Sequence, residues 1–190
     1  MNKNVLIIST SLRGVSNSDI LANECAKGAK EAGNNVEVIS LKGKDIKYCI
    51  GCLSCQNTGR CVISDDVPLI MEKVKNAEVI VFATPIYYYE MCGQMKTLLD
   101  RLNPLYSTDY SFRDIYMIAT AAENDESAFE KAYNGLQGWV DCFEKASLKG
   151  MVGGGGIDAV DNKGELGNDK SNWSPFSDCR KDLLLQSEEL

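Results

Sequence analysis

The stretch "NVLIISTSLRGVSNSDILANECAKGAKEAG", residues 4–33, decides the fold. It begins with a short apolar run, Asn4–Ser9, which is typical of a strand that is buried on both faces. A polar loop follows, and residues 18–33 then show the apolar spacing of a helix that ends at a glycine. A buried strand joined to a helix by a short polar loop is the first half of a βαβ unit, so the stretch predicts a parallel sheet.

The same alternation of strands and helices continues along the chain. Four further strands are predicted at residues 35–41, 78–85, 114–121 and 146–154, with helical patterns between them. Because such crossovers are right-handed, the pattern predicts an α/β, flavodoxin-like, doubly wound, five-stranded parallel sheet of order 2-1-3-4-5 with helices on both faces. Ligands bind such sheets outside the carboxyl ends of the strands, where the strand order reverses. We therefore expect function in the loops that follow the first, third and fourth strands.

Length and composition limit the possible classes of protein. The chain has 190 residues, 44% of them hydrophobic, which is enough to build one domain with its own core. We expect a single domain over residues 1–190, with a cysteine-rich loop at 43–66 and a tail at 165–190 whose pattern predicts little. No apolar run is long enough to span a membrane, and the one near the N-terminus is too short for a signal peptide, so a cytoplasmic location is expected.

Charge and residue types exclude several kinds of chemistry. The net charge of −7 argues against nucleic acid as the main partner, because a phosphate backbone requires a basic surface. The chain contains no histidine, which excludes Ser-His-Asp and Cys-His catalysis and every metal site that needs imidazole. A reaction whose chemistry resides in a cofactor is therefore favoured, and no residue of the chain is assigned a catalytic role.

The loop "STSLRGVSNSD", residues 9–19, combines side-chain hydroxyls with one arginine, Arg13. Hydroxyl and backbone N–H groups at the start of a helix bind anions, and Arg13 adds a local positive charge. The loop is neither a Walker A motif nor G-x-G-x-x-G. The alternative is a polar turn in which Asn17 or Ser18 caps the helix.

Two further loops follow the third and fourth strands. In "TPIYYYEMCGQMK", residues 84–96, Pro85 is expected to end the strand and three tyrosines follow it. These rings could line a ligand crevice, or they could belong to the core or to a subunit interface. In "ATAAEND", residues 119–125, small side chains would let a flat ligand approach the backbone, and the alternative is a plain turn before a helix. The stretch "VGGGGIDAV", residues 152–160, opens no helix and is interpreted as a flexible loop at a strand end.

The segment "YCIGCLSCQNTGRC", residues 48–61, carries cysteines in the spacing C-x2-C-x2-C-x5-C. A compact run of this kind can wrap an iron–sulfur cluster. Four-cysteine zinc sites usually separate two C-x2-C pairs by a longer stretch. Disulfides are disfavoured in a reducing compartment. The spacing therefore leaves three alternatives: a cluster, a zinc site, and thiols that are reduced or disulfide-linked. Of the two metal sites, the cluster is preferred.

These motifs, taken in order, resemble the NAD(P)H-dependent FMN reductase family of flavodoxin-like proteins. The cysteine segment is similar to that of its iron–sulfur flavoprotein branch. The resemblance implies bound FMN, NAD(P)H as co-substrate, a possible [4Fe–4S] cluster and assembly into homodimers or homotetramers. The residues that it implies for FMN are Ser9, Ser11, Arg13, Ser16, Asn17, Ser18, Pro85, Ile86, Tyr87, Tyr88, Thr120, Ala121, Ala122 and Glu123. The cluster ligands that it implies are Cys49, Cys52, Cys55 and Cys61.

Three functional hypotheses follow from this sequence. The first is an FMN-dependent oxidoreductase that passes electrons from NAD(P)H to a quinone, a nitro or azo compound, or a protein. The second is an iron–sulfur flavoprotein that carries electrons for ferredoxin-like partners. The third is a non-catalytic flavodoxin-like module in which a zinc knuckle serves assembly. None of the three requires nucleic acid or a membrane.

Overall fold

The computed structural model of the chain describes residues 2–157. The predicted tail at 165–190 lies outside these residues. The strands are β1 Asn4–Ser9, β2 Asn35–Ser40, β3 Val79–Tyr87, β4 Glu90–Met91, β5 Asp114–Thr120 and β6 Ser147–Gly154. The helices are α1 Asn17–Glu31, α2 Ser54–Thr58, α3 Val67–Asn76, α4 Gly93–Arg101 and α5 Ser127–Val140, and a 3₁₀ helix covers Asn103–Ser107.

Five of the strands form one parallel sheet in the spatial order β2-β1-β3-β5-β6. Counted among parallel strands only, this is the order 2-1-3-4-5, so the predicted fold class is confirmed. The two-residue strand β4 stands apart, since it pairs antiparallel with the end of β3. The reversal of strand order lies between β1 and β3, which places the ends of these strands side by side.

Each face of the sheet is covered by its own hydrophobic cluster. In β1, Leu6 and Ile8 point into the cluster beneath α3, α4 and α5, whereas Val5 and Ile7 point into the cluster beneath α1. Successive side chains of a strand alternate between faces, so a strand covered on both sides must be apolar throughout. Burial of a side chain of this size stabilises the fold by roughly 1.5–3 kcal/mol.

Two local boundaries differ from those expected. Strand β3 continues through Pro85 to Tyr87, so the expectation that this proline ends the strand was wrong. The strand continues because Pro85 still pairs with Thr120 of β5 and the next two residues pair with β4. Helix α1 begins at Asn17 because Ser16, and neither Asn17 nor Ser18, is the N-cap.

Among residues 2–157, no helix combines the length and the apolar character that crossing a lipid bilayer would require.

Candidate functional site

A cleft of about 300 Å³ opens at the carboxyl ends of β1, β3 and β5. Doubly wound sheets bind ligands in this position. Its lining comes from the three loops that the sequence singled out and from one residue beyond β6. The lining residues are Ser11, Arg13, Ser16, Asn17, Ser18, Pro85, Ile86, Tyr87, Tyr88, Thr120, Ala122 and Ile157.

The amino end of α1 faces this cleft. Ser16 is buried, and its hydroxyl oxygen accepts a hydrogen bond from the backbone N–H of Asp19 at 3.0 Å, which caps the helix. Arg13 lies on the preceding loop and lines the same cleft. The helix dipole and the guanidinium both supply positive potential here, so this end of the cleft suits an anionic group such as a phosphate.

Asn17 presents an unused hydrogen-bond acceptor. Its Nδ2 donates to the carbonyl oxygen of Ile157 at 3.3 Å, whereas its buried Oδ1 has no partner among the residues that the structure describes. Exchanging the two amide atoms would set an oxygen against the oxygen of Ile157, so the Ile157 contact fixes the orientation of the amide. A buried acceptor without a partner costs about 1–3 kcal/mol, and a ligand hydroxyl would satisfy it.

The loop after β5 is held close to the loop after β6. The N–H of Ala121 donates to Gly154 O at 2.9 Å, and the N–H of Gly156 donates to Glu123 O at 3.1 Å. A Cβ atom on Gly155 would stand 2.7 Å from the oxygen of Glu123, so only glycine permits this approach. The side chains of Ser18 and Thr120 also share a hydrogen bond of 2.9 Å across the floor of the cleft.

The wall of the cleft beside β3 ends in a strained aromatic turn. Tyr88 and Tyr89 connect β3 to β4 with φ angles of 52° and 65°, as in a type I′ turn, for which asparagine and glycine are the preferred residues. Tyr88 is 98% exposed, so burial does not offset the strain, while the ring of Tyr89 lies 5.5 Å from the ammonium of Lys131. Strained backbone of this kind often marks a functional position.

Replacing Tyr88 with asparagine is expected to raise the free energy of unfolding by about 0.5–1 kcal/mol, because asparagine tolerates the left-handed conformation and no packing is lost. Urea denaturation measures the change. The control is Tyr106→Asn, which removes an exposed tyrosine from the 3₁₀ helix, where φ is not positive, and should bring no gain. A less stable Tyr88→Asn variant would show that the ring contributes contacts to the fold.

The structure brings most of the expected binding residues together. All of them line the cleft except Ser9, Ala121 and Glu123. Ser9 is buried, and its hydroxyl donates to the carboxylate of Asp19, so it supports the loop from below. Ala121 and Glu123 take part through their backbone bonds to the loop after β6. Ile157 was not among the expected residues, since the stretch that contains it, residues 152–160, was interpreted only as a flexible loop at a strand end.

The cysteine segment, residues 48–61, projects from a narrow neck. The neck is formed by residues 45–47 and 64–66, where Asp45 and Asp66 exchange two hydrogen bonds of 2.8 and 3.0 Å. The guanidinium of Arg101 closes it, donating to the oxygen of Lys47 at 2.6 Å and to the two carboxylate oxygens of Asp65 at 2.5 and 3.0 Å. The ends of the segment are therefore anchored together on α4.

The four thiols of this segment are free, but they are not gathered around one point. Cys49 and Cys52 are exposed, Cys61 is half-buried and Cys55 is buried. Within residues 2–157, no group of three or more Cys, Asp or Glu side chains is arranged to hold a metal ion. The metal site expected from the spacing is thus not formed by these side-chain positions.

The surroundings of the sulfurs nevertheless suit negatively charged ligands. A backbone N–H of Gly51 donates to Cys49 Sγ at 3.4 Å, and Asn103 Nδ2 donates to Cys55 Sγ at 3.1 Å. Hydrogen bonds from the backbone and hydroxyl of Ser54 lower the pKa of the Cys52 thiol. Thiolates are the ligands that iron–sulfur clusters require, so the donor set fits such a group in its chemistry.

Comparison with known proteins gives consistent matches. The family model for NADPH-dependent FMN reductases matches residues 3–133. An iron–sulfur flavoprotein of Methanocaldococcus jannaschii is 40% identical over 101 residues, which cover 53% of this chain and 52% of that protein. The chain spans about half the length of the curated relatives it matches, including an iron–sulfur flavoprotein of Archaeoglobus fulgidus that is 33% identical over 94 residues, 50% of this chain and 43% of that protein.

A solved structure shares the fold at lower identity. The NAD(P)H:quinone oxidoreductase from Methanothermobacter marburgensis is 15% identical, with a TM-score of 0.73 and coverage of 100% of this chain and 98% of that chain. At this identity the likeness concerns the fold alone.

Proposed function

The chain belongs to the NADPH-dependent FMN reductase family, and from this premise we propose that it is an FMN-dependent oxidoreductase that uses NAD(P)H to reduce a quinone, a nitro or azo compound, or a protein. The observation that carries the proposal is the cleft of about 300 Å³ into which three loops bring an arginine, a helix N-terminus and the unpaired acceptor of Asn17. These groups complement the phosphate and the hydroxyl-bearing chain of FMN.

Different parts of the cleft suit different parts of FMN. Arg13 and the start of α1 would hold the phosphate, since both supply positive potential at that end. Asn17 Oδ1 suits a hydroxyl of the ribityl chain better than the phosphate, because it can only accept a hydrogen bond. The segment from Pro85 to Tyr88 and the small residues after β5 would flank the ring, excluding water from its edges.

When bound, FMN supplies the hydride and electron chemistry itself. The chain contributes binding, orientation and exclusion of water through the groups described above. Hydride transfer requires no histidine, in agreement with its absence from the sequence.

We further propose that Cys49, Cys52, Cys55 and Cys61 hold a [4Fe–4S] cluster. The proposal is supported by the four-thiol donor set, by the N–H groups directed at two of the sulfurs and by the names of the curated relatives. Such a cluster would exchange single electrons with an acceptor such as a ferredoxin-like protein. Anaerobic purification followed by iron and sulfide analysis tests the cluster proposal. A purified protein that contains neither iron nor sulfide would contradict it.

FMN binding is tested directly by titrating the apoprotein with FMN and following flavin fluorescence. We expect one FMN per chain. We also expect Arg13→Ala to weaken FMN binding about tenfold, because a charge-assisted hydrogen bond contributes roughly 1.5–3 kcal/mol, and the exposure of Arg13 places the loss at the lower end of this range. Lys27→Ala removes one positive charge from an exposed position further along α1 and serves as the control. Equal affinities of the two variants would remove Arg13 from the site.

Turnover is tested separately by oxidation of NADH and NADPH with menadione as the acceptor. A flavin-loaded protein that oxidises neither nucleotide, yet is reduced rapidly by ferredoxin, would favour the electron-carrier hypothesis over the enzyme.

A further inference from the structure

The carboxyl end of α4 lies against the cysteine segment through two polar residues, Arg101 and Asn103. Arg101 is the last residue of α4, in a helix whose inner face is otherwise apolar, and its side chain is completely buried. Two residues later, Asn103 begins the 3₁₀ helix. This helix packs against α2 of the cysteine segment. Neither residue lines the cleft assigned to FMN.

The two residues contact the cysteine segment and its flanking residues at different points. Asn103 Nδ2 donates to Cys55 Sγ at 3.1 Å. Arg101 instead contacts Lys47 and Asp65, which flank the segment.

Arg101 holds the two ends of the cysteine segment together. Its two terminal nitrogens donate to Lys47 O and to Asp65, whereas its buried Nε has no hydrogen-bond partner within residues 2–157. The bonds to Asp65 are charge-assisted and both side chains are fully buried, so water cannot replace them.

We propose that Asn103 and Arg101 are positioning residues of the cysteine site. The amide N–H of Asn103 holds the sulfur of Cys55 and stabilises negative charge on it, and Arg101 holds the two ends of the cysteine segment together through Lys47 and Asp65. The inference rests on the proposed role of the cysteines as ligands. Hydrogen bonds to ligating sulfurs orient them and adjust the affinity for the metal, and their loss typically weakens binding 10–100-fold. The pair thereby couples the cysteine segment to α4 and hence to the sheet.

Anaerobic titration of the iron-free full-length chain with Co²⁺ tests this inference, because thiolate-to-cobalt absorption reports on the sulfurs whether or not the flavin turns over. We expect Asn103→Ala and Arg101→Lys to weaken Co²⁺ binding by about 10–100-fold relative to the unaltered chain. Lysine keeps the charge of Arg101 but lacks its forked donors. FMN stoichiometry, measured on the same samples, should not change.

Two matched controls separate this role from a general effect on folding. Asn76→Ala removes an exposed amide of α3, and Arg113→Lys alters an arginine that donates only to nearby carbonyl groups; both should retain full Co²⁺ affinity. Asn103 is only half-buried, so Asn103→Ala should unfold at the same urea concentration as the unaltered chain. Unchanged Co²⁺ affinity in Asn103→Ala and Arg101→Lys would overturn the inference.

If the unaltered chain showed no thiolate-to-cobalt absorption, the inference about Arg101 and Asn103 would also be overturned. FMN uptake in that same sample would still report on the flavin proposal, so the two failures can be distinguished.

Discussion

The Asp65→Ala variant is expected to lose about 3–5 kcal/mol of the free energy of unfolding, because it leaves the buried guanidinium of Arg101 without its counterion. Both side chains are 0% exposed, so water cannot replace the lost carboxylate. The backbone N–H groups of Lys47 and Val67 lose their acceptor in the same substitution. Since a domain is typically stable by only 5–15 kcal/mol, urea denaturation should show a large shift of the midpoint.

The exposed ion pair between Lys145 and Asp109 provides the control for this prediction. The Asp109 side chain is 88% exposed and the pair distance is 3.2 Å, so Asp109→Ala should cost less than about 1 kcal/mol. Similar losses in the two variants would show that the Arg101 pair is hydrated in solution.

The same pair predicts a dependence of stability on pH. Burial alone would raise the pKa of Asp65, but hydrogen bonds from Arg101 and from two backbone N–H groups lower it below its ordinary value. A carboxyl group with a lowered pKa in the folded state contributes stability above its unfolded pKa, and that contribution is lost as the pH falls through the folded pKa. Asp65→Ala should therefore lose less stability on acidification than the unaltered chain.

The Gly155→Val variant is expected to lower FMN affinity about 10–100-fold and the free energy of unfolding by about 2–3 kcal/mol. A side chain here meets the carbonyl oxygen of Glu123 at 2.7 Å and the Cα of Asn124 at 3.0 Å, so the loops after β5 and β6 must separate. That separation breaks backbone hydrogen bonds of about 0.5–1.5 kcal/mol each. It also displaces Ile157, whose carbonyl oxygen holds the amide of Asn17.

Gly138→Ala is the matched substitution for Gly155→Val. A Cβ atom at Gly138 meets nothing within 4 Å, and alanine favours the interior of helix α5, so this variant should be as stable as the unaltered chain or slightly more stable. Flavin fluorescence and urea denaturation measure both effects. Normal FMN affinity in Gly155→Val would show that the loop after β6 does not support the cleft.

Much of the fold followed from the sequence because burial on both faces requires uninterrupted apolar strands. The strand Asn4–Ser9 was predicted with its observed bounds for this reason. The short elements α2 and β4 were not predicted, since five and two residues carry no readable period. The type I′ turn was not expected either, because tyrosines at both central positions contradict the residue preference of that turn.

The loops that form the cleft could be predicted from the topology of the sheet, because the order of the parallel strands determines which loops lie next to each other. The hydrogen-bonding groups that the cleft offers to a ligand could not be predicted in the same way. Sequence identified Asn17 as a polar residue near a helix start, but its unused acceptor results from a contact with Ile157, 140 positions away.

By itself, then, the sequence determined the doubly wound sheet, the position of its binding edge and the residue types available there. Only the tertiary structure decided that Gly155 must lack a side chain, that Arg101 is buried against Asp65, and that Asn103 faces Cys55. The physical reason is the separation of the contacting residues along the sequence, because hydrophobic periodicity reports burial only among residues that are a few positions apart. These contacts instead join segments from 32 to 48 positions apart, and they depend on how the whole chain packs.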